Sequence, residues 1–530
     1  MADTMRGVYT NLTDIRRKVF SEVARVIYGA ANNSDWTYAD MDEAFEELPY
    51  KIVPGDVATY RESVFLERAI VTERIRLASG LSLQGVDKPN HISDGLAAAA
   101  GPDQYYEPPL INVISFACNA CKDNVYEVTN TCQGCLAHPC REICPKGAIS
   151  FVNKQAFIDQ DACIHCGLCQ KTCPYQSIHH YVRPCAEACG MDAIGSDEHG
   201  RAEIDHDKCV ACGQCLINCP FGAIADKSQL VQVIWSILSG DEVIAAVAPA
   251  FVGQFGGKGN VGKLREAFKQ LGFSGVEEVA LGADLCSVQE AEDFLAEVPG
   301  ELPFMGTSCC PAWSSMAKKE FPEHAECISM ALTPMTLTAR MIRKHHPKAK
   351  IVFVGPCSAK KLEAMRTSVR SEVDFVLTFE EMAGMMDARD IDYLALHDDN
   401  KSDFDVASED GRNFAVSGGV ANAVANVIRR GHPEVEVKIA SAEGLEGCRK
   451  MMKDAVKGKY PGYLLEGMAC PGGCIAGAGT LQGISKSKGA VTRYAKRSPH
   501  KNAVDNEFRS LIGELEYSDD GIKPKDDQTE

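Results

Sequence analysis

Sixteen of the 24 cysteines in this 530-residue chain lie between Cys118 and Cys219, and the first 117 residues contain none. Thiolates at short fixed spacing are ligands for soft metals, and repeated sets point to iron–sulfur chemistry. Cys163-x2-Cys166-x2-Cys169-x3-Cys173-Pro174 is a cubane-binding run, and Cys209-x2-Cys212-x2-Cys215-x3-Cys219-Pro220 repeats it. Three closely spaced thiolates wrap one face of a [4Fe–4S] cubane, and the fourth, after a three-residue step, reaches the neighbouring cluster. Zinc sites rarely use that step.

Each run has an upstream partner. Cys132-x2-Cys135-x4-Cys140-x3-Cys144-Pro145 is an expanded copy, and Cys185-x3-Cys189 is a half copy. The pattern reads as two tandem ferredoxin-like modules. Exchange of ligands within a module assigns Cys132, Cys135, Cys140 and Cys173 to one cluster and Cys163, Cys166, Cys169 and Cys144 to a second. Cys209, Cys212, Cys215 and Cys189 form a third. Cys185 and Cys219 lack two partners, and Cys118-x2-Cys121 lacks a home; together they complete a fourth. His180 sits where a missing cysteine would fall, so a histidine-ligated variant stays open beside a solvated or capping histidine.

Five further cysteines fall in three motifs. These are Thr307-Ser308-Cys309-Cys310-Pro311-Ala312-Trp313, Gly355-Pro356-Cys357-Ser358-Ala359-Lys360-Lys361, and Glu466-Gly467-Met468-Ala469-Cys470-Pro471-Gly472-Gly473-Cys474. The first two follow predicted strands, and the ends of parallel strands are where α/β proteins place ligands. Thiolates converging from three loops suit an iron–sulfur centre. Glycines beside Cys474 would let backbone approach a bulky cofactor. Cys286, Cys327 and Cys448 are isolated and read as buried apolar thiols.

The elements that must position these residues are legible from periodicity. Residues 1–110 read as a helical region of unassigned role, a docking or cap module, with helices over 14–31 and 60–81. Residues 111–228 hold the ferredoxin-like modules. Residues 229–516 alternate strands (242–248, 302–305, 351–354) with helices (261–271, 379–386), the mark of α/β with parallel strands. The fold class is therefore multidomain α/β and α+β. Residues 517–530 are charged and read as a disordered tail. A net charge of −18 argues against general nucleic-acid binding. No apolar run approaches the ~18 residues of a transmembrane helix, and the N-terminus has no secretory pattern. Arg16-Arg17 reads as part of an amphipathic helix. The expected location is the cytoplasm.

The three motifs, in order behind a ferredoxin-like segment, resemble the [FeFe]-hydrogenase family over roughly residues 130–510. The resemblance implies that Cys310, Cys357, Cys470 and Cys474 ligate the [4Fe–4S] part of an H-cluster, with Cys474 bridging to a diiron subsite. That subsite carries CO, cyanide and a dithiolate amine. Lys360 would hold a cyanide, Pro249 and Met468 would line the cofactor, and Cys309 would carry protons. The proton path would continue through Glu290 and Ser329, with Asp293 next. Glu297 stands where the family has arginine. Gly355, the Ile475–Thr480 stretch and Ala250 depart from the well-known members and are similar to the divergent group B branch. The implied reaction is 2 H⁺ + 2 e⁻ = H2. Its partners would be ferredoxin or a similar carrier, and the maturation machinery that builds the diiron unit. The rival readings are a non-catalytic iron–sulfur assembly factor, which usually lacks the first of the paired cysteines, and a hydrogen sensor.

Two weaker signals are declined. Gly257-x4-Gly262-Lys263 mimics a phosphate loop but continues with Leu264, not Ser or Thr. The basic run Arg343-Lys344-His345-His346 reads as a solvated face.

Overall fold

The structure, a computed structural model, describes residues 7–31, 38–85, 90–99, 106–256, 261–366, 369–397 and 406–515. The tail expected over 517–530 and glycine 257 of the declined motif lie outside them.

Three helices dominate the N-terminal region: α1 (Asn11–Ala31), α2 (Tyr38–Ile52) and α3 (Val64–Ala78). Val19, Val23 and Ile27 recur at helical spacing on α1 and are buried. α3 begins later than the periodicity predicts. Ser63 caps it by accepting from Leu66 N at 3.2 Å. The residues before it instead wrap the Glu67 carboxylate, which accepts from the N–H groups of Thr59, Tyr60 and Arg61. These helices do not form a separate body. Val23, Ile27 and Phe45 share one continuous core with Val247, Phe353 and Phe379 of the α/β region. Each such buried side chain contributes roughly 1.5–3 kcal/mol. Arg16 pairs with Glu380 and Arg17 with Asp387 across the same contact.

Eight short strands build the cysteine-rich region. They are β1 (Ile111–Val113), β2 (Val125–Val128), β3 (Ile149–Val152), β4 (Gln155–Ile158), β5 (Ile178–Tyr181), β6 (Ile194–Ser196), β7 (Ala202–Ile204) and β8 (Ile224–Asp226). β2 pairs with β5 and β3 with β4, completing one module. β6 pairs with β7, while β1 pairs antiparallel with β8. The second module therefore opens upstream of the first, and the first lies within it. Cys118 and Cys121 follow β1, so they stand in the second module where Cys132 and Cys135 stand in the first.

Seven parallel strands form two sheets in the α/β region. β9 (Val243–Val247), β10 (Gly275–Glu278), β12 (Lys350–Gly355) and β13 (Phe375–Thr378) run in the order β10-β9-β12-β13, and β11 (Phe304–Gly306), β14 (Lys438–Glu443) and β15 (Tyr463–Met468) in the order β11-β15-β14. β9 and all of β12 past Lys350 are buried, as strands covered on both faces must be. The cysteine motifs leave the C-terminal ends of β11, β12 and β15, so the two sheets deliver them to one place.

Candidate metal centres and active site

Four Cys-x-x-Cys loops share one backbone conformation. The residue before the second cysteine has positive φ in each: Ala120 (45°), Gly134 (55°), His165 (54°) and Ala211 (51°). Four closing cysteines share another. The thiol sulfurs of Cys144, Cys173, Cys189 and Cys219 each accept the N–H four residues on, at 3.3–3.4 Å. N–H···S bonds of this kind stabilise an anionic cluster. Cys118–Cys121, weakest in sequence, has the geometry of the three clearer loops.

The thiols group in fours. Cys140 feels the charge of Cys135 and Cys173. Cys169 feels that of Cys163 and Cys166, and Cys132 and Cys144 pack into the same apolar cluster. Cys189, Cys209, Cys212 and Cys215 line one small cavity. Cys121 feels Cys118 and Cys219, and Cys185 feels the same pair. That last set is the candidate fourth site. His180 is not part of it: its ring stacks on Tyr126 at 4.2 Å and its Nε2 bonds Asn124 Oδ1.

An apolar cavity of about 80 Å³ lies where the two sheets meet, lined by Cys309, Cys310, Cys357, Cys470, Cys474 and Lys360. Pro249 and Met468 also face it, and so does Cys212 of the third accessory site. Burial pushes its thiols up, Cys357 to about 11 and Cys474 to about 12. An apolar chamber disfavours bare thiolates; iron bound to them offsets that cost. An all-sulfur donor set in an apolar cavity fits an iron–sulfur cofactor.

The motifs lock to one another through glycines. A Cβ on Gly467 would stand 2.2 Å from the Trp313 ring, and one on Gly477 would stand 2.2 Å from Pro356 O. Gly473, beside Cys474, lines the cavity, and a Cβ there would stand 2.5 Å from Ser417 N. Glu466 anchors the same strand, accepting from the N–H groups of Gly418 and Ala421 at the start of the helix Gly419–Gly431.

Two adjacent lysines have different surroundings. Lys360 faces the cavity with its ammonium 2.7 Å from Glu363, in a geometry that is not an aligned hydrogen bond. Burial pulls it down, but Glu363 and the Cys357 and Cys309 thiolates push it up by more. Lys361, 1% exposed, lies 2.9 Å from both Asp226 at the end of β8 and Glu381. Ser358 also donates to Asp226 at 2.9 Å. The second motif thereby bolts the ferredoxin-like region onto the α/β region.

Behind Cys309 lies Glu290, fully buried on the helix Val279–Glu297. Burial pushes its carboxyl up to about 7, against the Ser308 N–H that donates to Oε1 at 2.6 Å. Oε2 has no hydrogen-bond partner. Asp293 is one turn on and electrostatically coupled to it. Ser329 is 8% exposed, and its hydroxyl accepts from Ala331 N. The described structure has no direct hydrogen bond from Ser329 to Glu290. Cys286, one turn before Glu290, is buried as expected but feels Glu290 and is felt by Cys309.

Residues 241–478 match the family described as iron only hydrogenase large subunit, C-terminal domain. Residues 156–178 match a 4Fe-4S binding domain, and residues 180–230 match the LdpA Fe-S cluster-binding domain. Among curated proteins the chain is similar to iron hydrogenase 1 of Clostridium pasteurianum, at 28% identity over 73% of this chain and 77% of that one. It is also similar to the NADP-reducing hydrogenase subunit HndD of Solidesulfovibrio fructosivorans, at 28% over 49% of this chain and about half (53%) of that one. The human nuclear prelamin A recognition factor is 25% identical over 45% of this chain and 64% of its own. A solved [FeFe]-hydrogenase superposes with a TM-score of 0.47 at 21% identity, covering 54% of this chain and 94% of that one.

The match to the hydrogenase family thus falls on the region that holds the cavity, and the match to the 4Fe-4S binding domain falls on the clustered cysteines. No helix among the described residues is long and apolar enough to cross a membrane. Several positions that tie the α/β region to the cysteine-rich region carried no sequence signal. Gln214 donates to Cys470 Sγ at 3.2 Å, and Lys361 and Ser358 hold Asp226. Only the helix Gln214–Asn218 beginning inside the fourth run could have drawn attention to Gln214.

Proposed function

We propose that the chain is an [FeFe]-hydrogenase that interconverts two protons and two electrons with H2. One observation carries this reading: Cys309 shares an apolar cavity with the four cysteines Cys310, Cys357, Cys470 and Cys474, and a buried glutamate stands behind it. Those four would hold the H-cluster, which when bound supplies the redox-active irons and a basic amine. The chain supplies the rest. Cys309 holds a proton at its sulfur, and Glu290, of all charged groups, acts on it most strongly. A carboxyl near pH 7 both takes and gives a proton readily. Asp293 and Ser329 lie on the outward side of the path. Lys360 presents a cation to an anionic ligand. The four accessory cubanes would carry electrons to and from a carrier such as ferredoxin. The third of them adjoins the cavity through Cys212.

The second reading is an iron–sulfur assembly factor, which the likeness to the nuclear prelamin A recognition factor keeps in play. The paired Cys309-Cys310 favours the hydrogenase. The test is to load the protein with the diiron cofactor, assay H2 evolution with a reduced carrier and record CO/CN infrared bands. Bands with turnover are expected. Absence of bands overturns the hydrogenase reading, and bands with negligible turnover favour a sensor.

A further inference from the structure

The fourth accessory site differs from the others in its surroundings. Arg183, 3% exposed, donates to Cys121 O at 3.2 Å through Nε and 3.0 Å through Nη2. It also reaches the carbonyls of Gly195 and Gly200 and the Ser196 hydroxyl at 2.8–3.0 Å. Arg61 donates to Ala117 O at 2.8 Å and Phe221 O at 2.9 Å, and lies over the Phe221 ring. Arg74, 6% exposed, donates to Gly222 O. Four of these carbonyls belong to loops that carry a ligand: Ala117 precedes Cys118, Cys121 is one itself, and Phe221 and Gly222 follow Cys219. Among the described residues none of these guanidinium groups forms an ion pair with a carboxylate. Burial pulls Arg74 down only to about 10, so it is a cation at neutral pH.

Among the described residues the other accessory sites have no such set of buried arginines. Arg141, Lys154 and Lys171 of the first module are exposed, as is Lys319 beside Cys209. Reduction takes a cubane and its four thiolates from a net charge of −2 to −3, and nearby uncompensated cations stabilise the added electron. The apolar cover opposes this: Ile70 and Leu77 of α3 pack with Ile114, Ala117 and Cys219. Three cations facing one added electron decide the sign.

We propose that Arg61, Arg74 and Arg183 hold the cubane of Cys118, Cys121, Cys185 and Cys219 at the highest reduction potential of the accessory set. It then takes the first electron and keeps it until a one-electron carrier delivers the second. The helical N-terminal region, source of two of the three arginines, is an electrostatic cap on this cluster. The proposal rests on the four-cubane reading.

The test is a redox titration of the full iron-loaded protein followed by electron paramagnetic resonance, with iron content measured in parallel. In the wild type one cubane signal should appear at a higher potential than the rest. Cys118→Ser should remove or displace that signal; if it displaces a lower-potential signal, the proposal fails. Arg183→Met should lower that midpoint by about a tenfold change in the reduction equilibrium (about 59 mV for one electron), leaving the other midpoints in place. Arg183→Lys should restore most of the shift. If Arg183→Met loses iron, Arg74→Met serves the same purpose. An unmoved midpoint, or an equal shift in all clusters, overturns the proposal. If Cys118→Ser changes neither iron content nor any signal, the four-cubane reading fails instead.

Discussion

Gln214 donates its side-chain amide to the Cys470 sulfur at 3.2 Å, joining the loop of the third accessory site to a ligand of the candidate catalytic cluster. A hydrogen bond to a charged sulfur stabilises the reduced cluster by about 1.5 kcal/mol. Gln214→Leu should therefore lower the midpoint of the cluster ligated by Cys470 by roughly 60 mV for one electron. A potentiometric titration with unchanged iron content checks this.

Cys309→Ala removes the proton-bearing thiol but no ligand. Turnover should fall by about 10²–10⁴-fold, while infrared bands and cubane signals persist. Turnover near wild type would remove Cys309 from the relay.

Glu290→Gln should produce a loss of turnover of similar order. It also carries a stability prediction with a definite sign. The fold raises this carboxyl from 4.5 to about 7, so the native state binds more protons than the unfolded state between those values. Its contribution is complete below about pH 4.5 and is lost as pH rises to 7, on the order of 3 kcal/mol. Asp284, raised by burial to about 6, adds to the same slope. Calorimetry from pH 5 to 8 should show a steeper fall in Tm for the wild type than for Glu290→Gln.

Lys361→Met leaves Asp226 and Glu381 buried without their shared cation. Breaking such a pair costs about 3–5 kcal/mol. The expected outcome is a lower Tm, with limited proteolysis beginning near residues 226–229 as the ferredoxin-like region loosens. Lys361→Arg should recover only part, because its longer planar head does not fit a slot shaped for an ammonium.

Much of this architecture is legible in the sequence because it depends on local spacing. The Val261–Leu271 helix has the limits its periodicity predicts. The strands expected over 242–248, 302–305 and 351–354 fall within two residues of β9, β11 and β12. The α2 helix escaped notice: its apolar residues Met41, Phe45 and Leu48 are sparse among acids. Partnerships across long separations were not legible. β1 closes on β8 over more than a hundred residues, and no period announces it. The same is true of Lys361, which looks like a second surface lysine until its two carboxylates are found beside it. Glu290 could be singled out by resemblance, but its contact with Ser308 depends on how the helix packs against β11.

The closure of β1 on β8 also sets an order of events on the ribosome. A chain synthesised from its N-terminus can complete the first module once Tyr181 has emerged. The thiols of Cys118 and Cys121, though made earlier, have no fourth partner until Cys219 follows. They are therefore the oldest unligated sulfurs on the nascent chain and the longest open to oxidation. Scarce iron or a trace of oxygen during synthesis is therefore expected to affect the Cys118–Cys121 pair first.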